Sequence, residues 1–190
     1  MKQRPMRILV FSSLFPHEGE PTLGIFVKNR LLNLMADENI EATVVAPVPW
    51  FPFKGKMFGR YGRAACAPRV EVSDGLTVYH PRYLVVPKIG MMLTPVFMFW
   101  SALSCIRRGK KNGLKFDLID AHYLYPDSVT AARLSRSLGV PFVSTARGSD
   151  VTEIALMPGP WKHIKKALAE AAHTITVSNS LRRDLIALGA

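Results

Sequence analysis

Six short apolar or β-branched runs recur along this chain, separated by segments of helical period, and that alternation restricts the fold more than any other feature. The runs fall at residues 7–11, 42–46, 76–79, 118–121, 141–145 and 174–177. Most are continuous rather than alternating, as strands covered on both faces are. Between them Val27, Leu31, Leu34 and Met35 repeat at helical spacing, as do Ile164, Ala167, Leu168 and Ala171, and then Leu181, Leu185 and Leu188. Strand and helix in turn predict an α/β fold with a doubly wound, mainly parallel sheet and right-handed crossovers.

The densest chemistry sits where two of these strands end. Asp117-Leu-Ile-Asp-Ala-His-Tyr-Leu-Tyr-Pro-Asp127 runs from an apolar strand into polar groups, and Arg147-Gly-Ser-Asp150 follows the next strand. A helix-length segment, residues 128–138, ended by Gly139, separates them. Open α/β sheets bind ligands outside the carboxyl ends of their strands, so both clusters mark a site. A neutral His122 can bond a sugar hydroxyl or a backbone group. Tyr125 and Asp127 stand beside it, and Arg147 suits a phosphate or carboxylate. Asp150 can accept from hydroxyls or cap the next helix. After the first strand, Ser12 to Pro16 and Pro21 to Phe26 form a small-residue loop that opens a helix near Gly24. Helix N-termini bind anions, and glycine lets a phosphate approach the backbone. Neither a dinucleotide fingerprint nor a P-loop is present.

The net charge of +11 is concentrated rather than spread. Between Ala42 and Phe116 stand twelve basic residues, including Arg69, Arg82, Lys88 and Lys115, opposed only by Glu71 and Asp74. Such a segment implies a polyanionic partner, unless it is a solvated face kept for solubility. Residues 47–70, rich in Pro, Gly, aromatics and basic groups, read as a long functional loop. A helix over 94–108 would bury Val96, Phe99, Leu103 and Ile106 and leave Phe97 and Trp100 outward. Trp100 with Arg107, Arg108, Lys110 and Lys111, and Lys54, Lys56, Arg60 and Arg63 of the loop, make a candidate surface for an anionic membrane. An ordinary buried helix whose basic end suits the helix dipole is the other reading. No run reaches the ~20 uninterrupted apolar residues of a spanning helix. The basic stretch from Met1 to Arg7 leads straight into a strand, too soon for a signal peptide. Cys66 and Cys105 are distant and carry no metal-ligand spacing, in keeping with a reduced, cytoplasmic compartment. Metal sites and paired hydrolytic carboxylates have no signature, and the basic surface lacks the features of a nucleic-acid binder.

Taken in order, several motifs resemble one family. They are the Ser12–Pro16 opening, Thr22-Leu-Gly-Ile-Phe-Val27, Val45-Ala-Pro-Val-Pro-Trp-Phe-Pro52, Asp74-Gly-Leu-Thr-Val-Tyr-His-Pro-Arg82, the Asp117–His122 run, Tyr125-Pro-Asp127, Leu138-Gly-Val-Pro141, Arg147-Gly-Ser-Asp150 and Thr176-Val-Ser178. The chain resembles the N-terminal half of a family 4 glycosyltransferase of the GT-B fold, of the bacterial polysaccharide-assembly type. That resemblance implies one Rossmann-like, acceptor-binding domain over residues 1–190, with the donor-binding domain and its Glu-x7-Glu motif outside this sequence. It implies retaining transfer from a sugar nucleotide, such as a UDP- or GDP-sugar, to a lipid-linked saccharide, without a metal or other cofactor. It places Gly24 and Thr22 at the donor phosphates, His122 and Asp150 in catalytic positions, and Tyr125, Asp127 and Arg147 around the acceptor and sugar. Relatives often carry His where Arg147 stands, and Gly where Ser128 stands. Isolated, this half is expected to be inactive, and the whole protein peripheral on the inner face of the cytoplasmic membrane.

The last strand and helix, with Ser178 or Asn179 as cap, reach Gly189 where a connection would begin, as in a domain cut from a longer chain. The rival reading is a non-catalytic basic α/β module that recruits RNA or an acidic protein. A sugar-nucleotide epimerase is disfavoured, because neither a dinucleotide fingerprint nor a Tyr-x-x-x-Lys pair is present.

Overall fold

Strand β1 (Met6–Phe11) is apolar over residues 8–11 because both of its faces are covered there. Ile8 and Val10 point to one side, where they pack with Val27 and Leu31 of α1 (Ile25–Asp37). Leu9 and Phe11 point to the other and join the larger core. Burying each such side chain stabilises the fold by about 1.5–3 kcal/mol. The computed structural model describes residues 4–37, 39–86 and 90–190; Met1 and Lys88, which enter the reading above, lie outside them.

The chain continues through β2 (Ile40–Val45), β3 (Val48–Pro49), a 3-10 turn at Lys56–Phe58 and α2 (Gly59–Ala65). Then come β4 (Val70–Ser73), β5 (Leu76–Tyr79), β6 (Arg82–Tyr83) and the long α3 (Gly90–Lys111). The second half runs β7 (Leu118–His122), an irregular turn at Leu124–Ser128, α4 (Val129–Leu138), β8 (Phe142–Ala146) and α5 (Ser149–Thr152). It ends with α6 (Pro158–Glu170), β9 (His173–Thr176) and α7 (Asn179–Ala187). The main sheet has the order β4-β5-β2-β1-β7-β8-β9, parallel except where β4 pairs antiparallel with β5. Without β4 this is the strand order of doubly wound, Rossmann-like folds, and the chain direction reverses between β1 and β7. All six expected strands are present, with ends shifted by one or two residues. Gly139 ends α4 in the left-handed conformation, and Ser178 Oγ caps α7 by accepting from Leu181 N at 3.2 Å.

Three expectations need correction. Residues 47–70 are not one loop: β3 pairs with β6, and α2 buries Gly62, Ala64 and Ala65. Small residues hold this segment down, since a Cβ on Gly62 would lie 2.2 Å from Gly55 O and one on Gly19 would lie 2.0 Å from Arg63 O. Strand β4 went unrecognised because it is short and its Val70 and Val72 side chains face solvent. Finally, α3 buries Pro95, Met98, Ala102 and Gly109 along with the expected Leu103 and Ile106, whereas Val96 and Phe99 are only half-buried, Phe99 against the same core, and Phe97 is half-buried rather than outward. Small Ala102 and Gly109 permit close approach, and the bulkier residues flank the contact. By length and hydropathy alone α3 could cross a membrane, yet Met98, Ala102 and Ile106 are fully buried in the protein's own core.

Candidate active site

The loops that leave β1 and β7 meet at the reversal point and are tied together by Asp127. Its fully buried carboxyl accepts from Ser13 N at 2.7 Å and from Ser13 Oγ at 2.8 Å. Burial pushes Asp127 up to about 7, although the bonds from Ser13 act in the opposite sense. Against the first of these loops rests Gly24, immediately before α1. It has φ +60°, and a Cβ there would lie 2.1 Å from Leu14 O, so only glycine can hold this position. At the start of α1 Ile25 N donates to Thr22 O and Val27 N to Gly24 O, which leaves Phe26 N and the positive end of the helix dipole to favour an anion at this corner.

Beyond β7 lies a line of four charged or polar side chains. Arg30 of α1 donates to Asp120 Oδ2 at 2.8 Å. Asp120 Oδ2 stands 3.3 Å from His122 Nε2, too poorly aimed to count as a full hydrogen bond. His122 Nδ1 accepts from Arg147 Nη2 at 2.9 Å, and the Arg147 guanidinium lies 4.9 Å over the Phe26 ring. Burial, only partly opposed by Asp120, lowers the His122 pKa, and the bond from Arg147 requires an unprotonated Nδ1. His122 is therefore the neutral tautomer with its proton on Nε2. Burial alone would raise the Asp120 carboxyl, but the His122 Nε2–H beside it and the charge and hydrogen bond of Arg30 outweigh that and lower it.

A cleft of about 580 Å³ adjoins this line. Ser13, Leu14, His17 and Glu20 form one wall, Pro47 to Pro49 with Arg60 and Tyr61 another, and Tyr83, Val85, Met91, Thr94 and Tyr125 the floor and far side. Leu23, next to Gly24, and Tyr123, next to His122, also line it, so cleft and polar line share a border. Tyr123 is strained, with φ +88° on a non-glycine residue. The bonds Tyr123 N to Thr145 O, Ser128 N to Tyr123 O and Leu124 N to Asp150 Oδ2 hold it there.

The residues expected at the site are thus gathered but differently employed. His122 and Arg147 touch each other, and Arg147 reaches the Gly24 corner through Phe26. His122 is 1% exposed, so it supports Arg147 instead of meeting a ligand. Asp150 is not a ligand group either: it has no exposed surface, and its oxygens accept from the backbone N–H groups of Leu124, Arg147 and Gly148. Asp127 is likewise turned inward. Tyr125 lines the cleft but donates its hydroxyl to Met91 O at 2.5 Å, and burial pushes it up to about 12. Thr22 is exposed and its carbonyl accepts from Ile25 N, at the start of α1.

The basic residues divide in the same way. Arg63 is ion-paired to Glu20 at 2.7 Å and is not a free surface cation, whereas Arg60 is exposed at the edge of the cleft, packs on Tyr61 and has no acidic partner among the described residues. Lys54, Lys56, Arg107, Arg108, Lys110 and Lys111 are exposed, as is Trp100 at 62%. Residues not anticipated at the site are Ser13, Phe26, Arg30, Asp120 and Tyr123. Asp120 could have been found, because a carboxylate inside an apolar strand needs a partner.

Comparison with known proteins agrees with this geometry. The model of a family described as Glycosyltransferase Family 4 matches residues 27–190. A Bacillus subtilis (strain 168) protein assigned to teichuronic acid biosynthesis as the glycosyltransferase TuaC is 30% identical over 181 residues, 94% of this chain. The match covers 46% of that relative, so the chain spans about half the relative's length. Among solved structures, a Listeria monocytogenes protein assigned as a UDP-N-acetylglucosamine 2-epimerase is similar with a TM-score of 0.56 at 13% identity, over 98% of this chain and 43% of its own. A second UDP-N-acetylglucosamine 2-epimerase gives 0.52 at 10% identity, over 99% and 46%. At such identities the likeness concerns the fold alone.

Proposed function

The chain belongs to Glycosyltransferase Family 4, and from that premise we propose that it is the acceptor-binding, N-terminal half of a retaining glycosyltransferase of the GT-B kind. In this reading a second Rossmann-like domain carries a sugar nucleotide to the reversal point between β1 and β7. The acceptor, a lipid-linked saccharide of cell-surface polysaccharide assembly, occupies the cleft. The observation that carries the proposal is the convergence of three features there: the Gly24 corner, the Arg147–His122 pair and a cleft of about 580 Å³. The Gly24 corner offers Phe26 N and the positive end of the α1 dipole to the donor diphosphate, and Arg147 adds positive charge beside it. Stabilising the departing diphosphate is the main demand of such a reaction, and the reading assigns it to protein groups rather than to a metal ion. His122 and Asp150 act as positioning residues, one fixing the Arg147 side chain and the other its backbone.

The lipid-linked acceptor is supported by the cleft's rim. Trp50, Phe53 and Met57 are 53%, 57% and 87% exposed, interspersed with Lys54 and Lys56. Phe51 stacks on Tyr61, a cleft residue, so this apolar-basic edge borders the cleft. Such an edge suits the interface of an anionic bilayer, which supports a location on the inner face of the cytoplasmic membrane.

Release of nucleoside diphosphate by the full-length protein, screened across sugar nucleotides and saccharide acceptors, tests the proposal. Transfer is expected from the full-length protein and not from this chain alone. His122→Ala is expected to lower kcat/KM at least tenfold by freeing Arg147, with His122→Asn, which retains a hydrogen-bonding side chain, restoring part of it. Absence of transfer from every sugar nucleotide, or turnover by this chain alone, would sink the reading.

A further inference from the structure

Partly buried arginines are ordinarily matched by a carboxylate. Arg147 is not, because each acid near it is committed elsewhere. Asp120 receives Arg30, and Asp150 accepts three backbone N–H groups. Among the described residues no ion pair reaches the Arg147 guanidinium. Its Nη2 donates to a neutral imidazole, its Nε is buried without a partner, and its face is covered by Phe26. Burial, with Arg30 next in weight, outweighs Asp120 and Asp150 and lowers its pKa. The guanidinium is therefore clamped by two uncharged rings that fix its direction and leave its charge unanswered.

The Gly24 corner is already suited to one anion, and Arg147 beside it keeps fork donors for a second. A planar fork held in one orientation matches the two oxygens of a carboxylate. We propose that Arg147 is the specificity-determining residue of this site, pairing with the carboxylate of a uronic acid, either in the donor sugar or in the acceptor's terminal residue. The inference rests on the glycosyltransferase reading and narrows its substrate class to acidic saccharides.

The test uses the full-length protein with Arg147→Gln and Arg147→Lys. Donors are compared in pairs, UDP-glucose with UDP-glucuronate and UDP-galactose with UDP-galacturonate. Acceptors ending in a neutral hexose are compared with those ending in the matching uronic acid. The wild type is expected to prefer the acidic member of one set. Arg147→Gln should lower kcat/KM for that member on the order of 100-fold further than for its neutral counterpart, whose own loss measures what Arg147 contributes beside the diphosphate. Arg147→Lys should recover part of the loss, since it keeps the charge without the fork. Selectivity lost in the donor set assigns the carboxylate to the donor, and in the acceptor set to the acceptor. An equal loss for acidic and neutral members, or a wild type that prefers neutral sugars throughout, overturns the inference while transfer itself stands. If the wild type transfers nothing, the glycosyltransferase reading has failed instead. The carboxylate claim is then decided by NMR titration of this chain with sodium glucuronate and with glucose. Shifts with glucuronate alone that vanish in Arg147→Gln uphold it, and equal or absent responses overturn it.

Discussion

Replacing Asp127 by Asn is expected to stabilise the protein at neutral and alkaline pH while leaving its stability near pH 4 almost unchanged. The carboxyl has no exposed surface, and burial together with the nearby Asp150 charge pushes it up to about 7. A carboxyl whose folded pKa exceeds its unfolded one keeps its proton longer in the native state. Between about pH 4 and pH 7 the native state therefore binds more protons, and stability falls as pH rises through that window before levelling off. The interval from the ordinary 3.8 to about 7 corresponds to roughly 4 kcal/mol at about 1.4 kcal/mol per pH unit. Asparagine has the same shape: its carbonyl can keep the bond from Ser13 N, and its amide can donate to Ser13 Oγ. Allowing for relaxation around the charge, we expect the variant to gain about 2–4 kcal/mol over wild type at pH 8. Urea unfolding followed by circular dichroism from pH 4.5 to 8 measures the difference. Parallel pH profiles, or an Asn variant weaker at pH 8, would show that the ionised carboxylate is stabilised by Ser13 more than burial costs it.

Gly24→Ala should destabilise by about 2–4 kcal/mol, because its Cβ would meet Leu14 O at 2.1 Å with φ at +60°. Thermal melting reads this, and a loss below about half a kcal/mol would mean that the start of α1 is free to shift. Ser178→Ala removes the α7 cap and should cost about 1 kcal/mol in the same assay, with Ser178→Asp close to wild type. In co-sedimentation, the protein should bind vesicles containing phosphatidylglycerol and lose about tenfold in affinity when Trp50 and Phe53 are both changed to Ser. Equal binding to neutral and anionic vesicles, or none to either, would remove the membrane from the proposal.

The parallel strands were legible because burial on two faces leaves mainly apolar or β-branched runs, as over residues 8–11 of β1. Elements that depend on one face only were not: β4 shows solvent its valines, and β3 and β6 contribute two residues each. The contact stripe of α3 was misread for a related reason. Hydrophobic period is judged by bulk, whereas Ala102 and Gly109 mark the stripe by being small. Within the site, location was readable and direction was not. A carboxylate after a strand has the same sequence signature whether it faces a ligand or turns back upon the chain. Asp150 and Asp127 turn back, since the loops around them carry N–H groups with no sheet or helix to receive them, an account that closes only in three dimensions.

That inward turn has an electrostatic consequence. With Asp127 near the midpoint of its titration at neutral pH, Asp150 bound to backbone and Asp120 held by Arg30, the acids at the reversal point are occupied by the fold itself. The positive ends of the local dipoles, at the start of α1 and on Arg147, are the groups left to face outward. A site whose own anions are all bound internally is suited to an anionic substrate, because pairing does not require breaking an existing ion pair. The carboxylates that turn inward thereby set the sign of charge the site can accept.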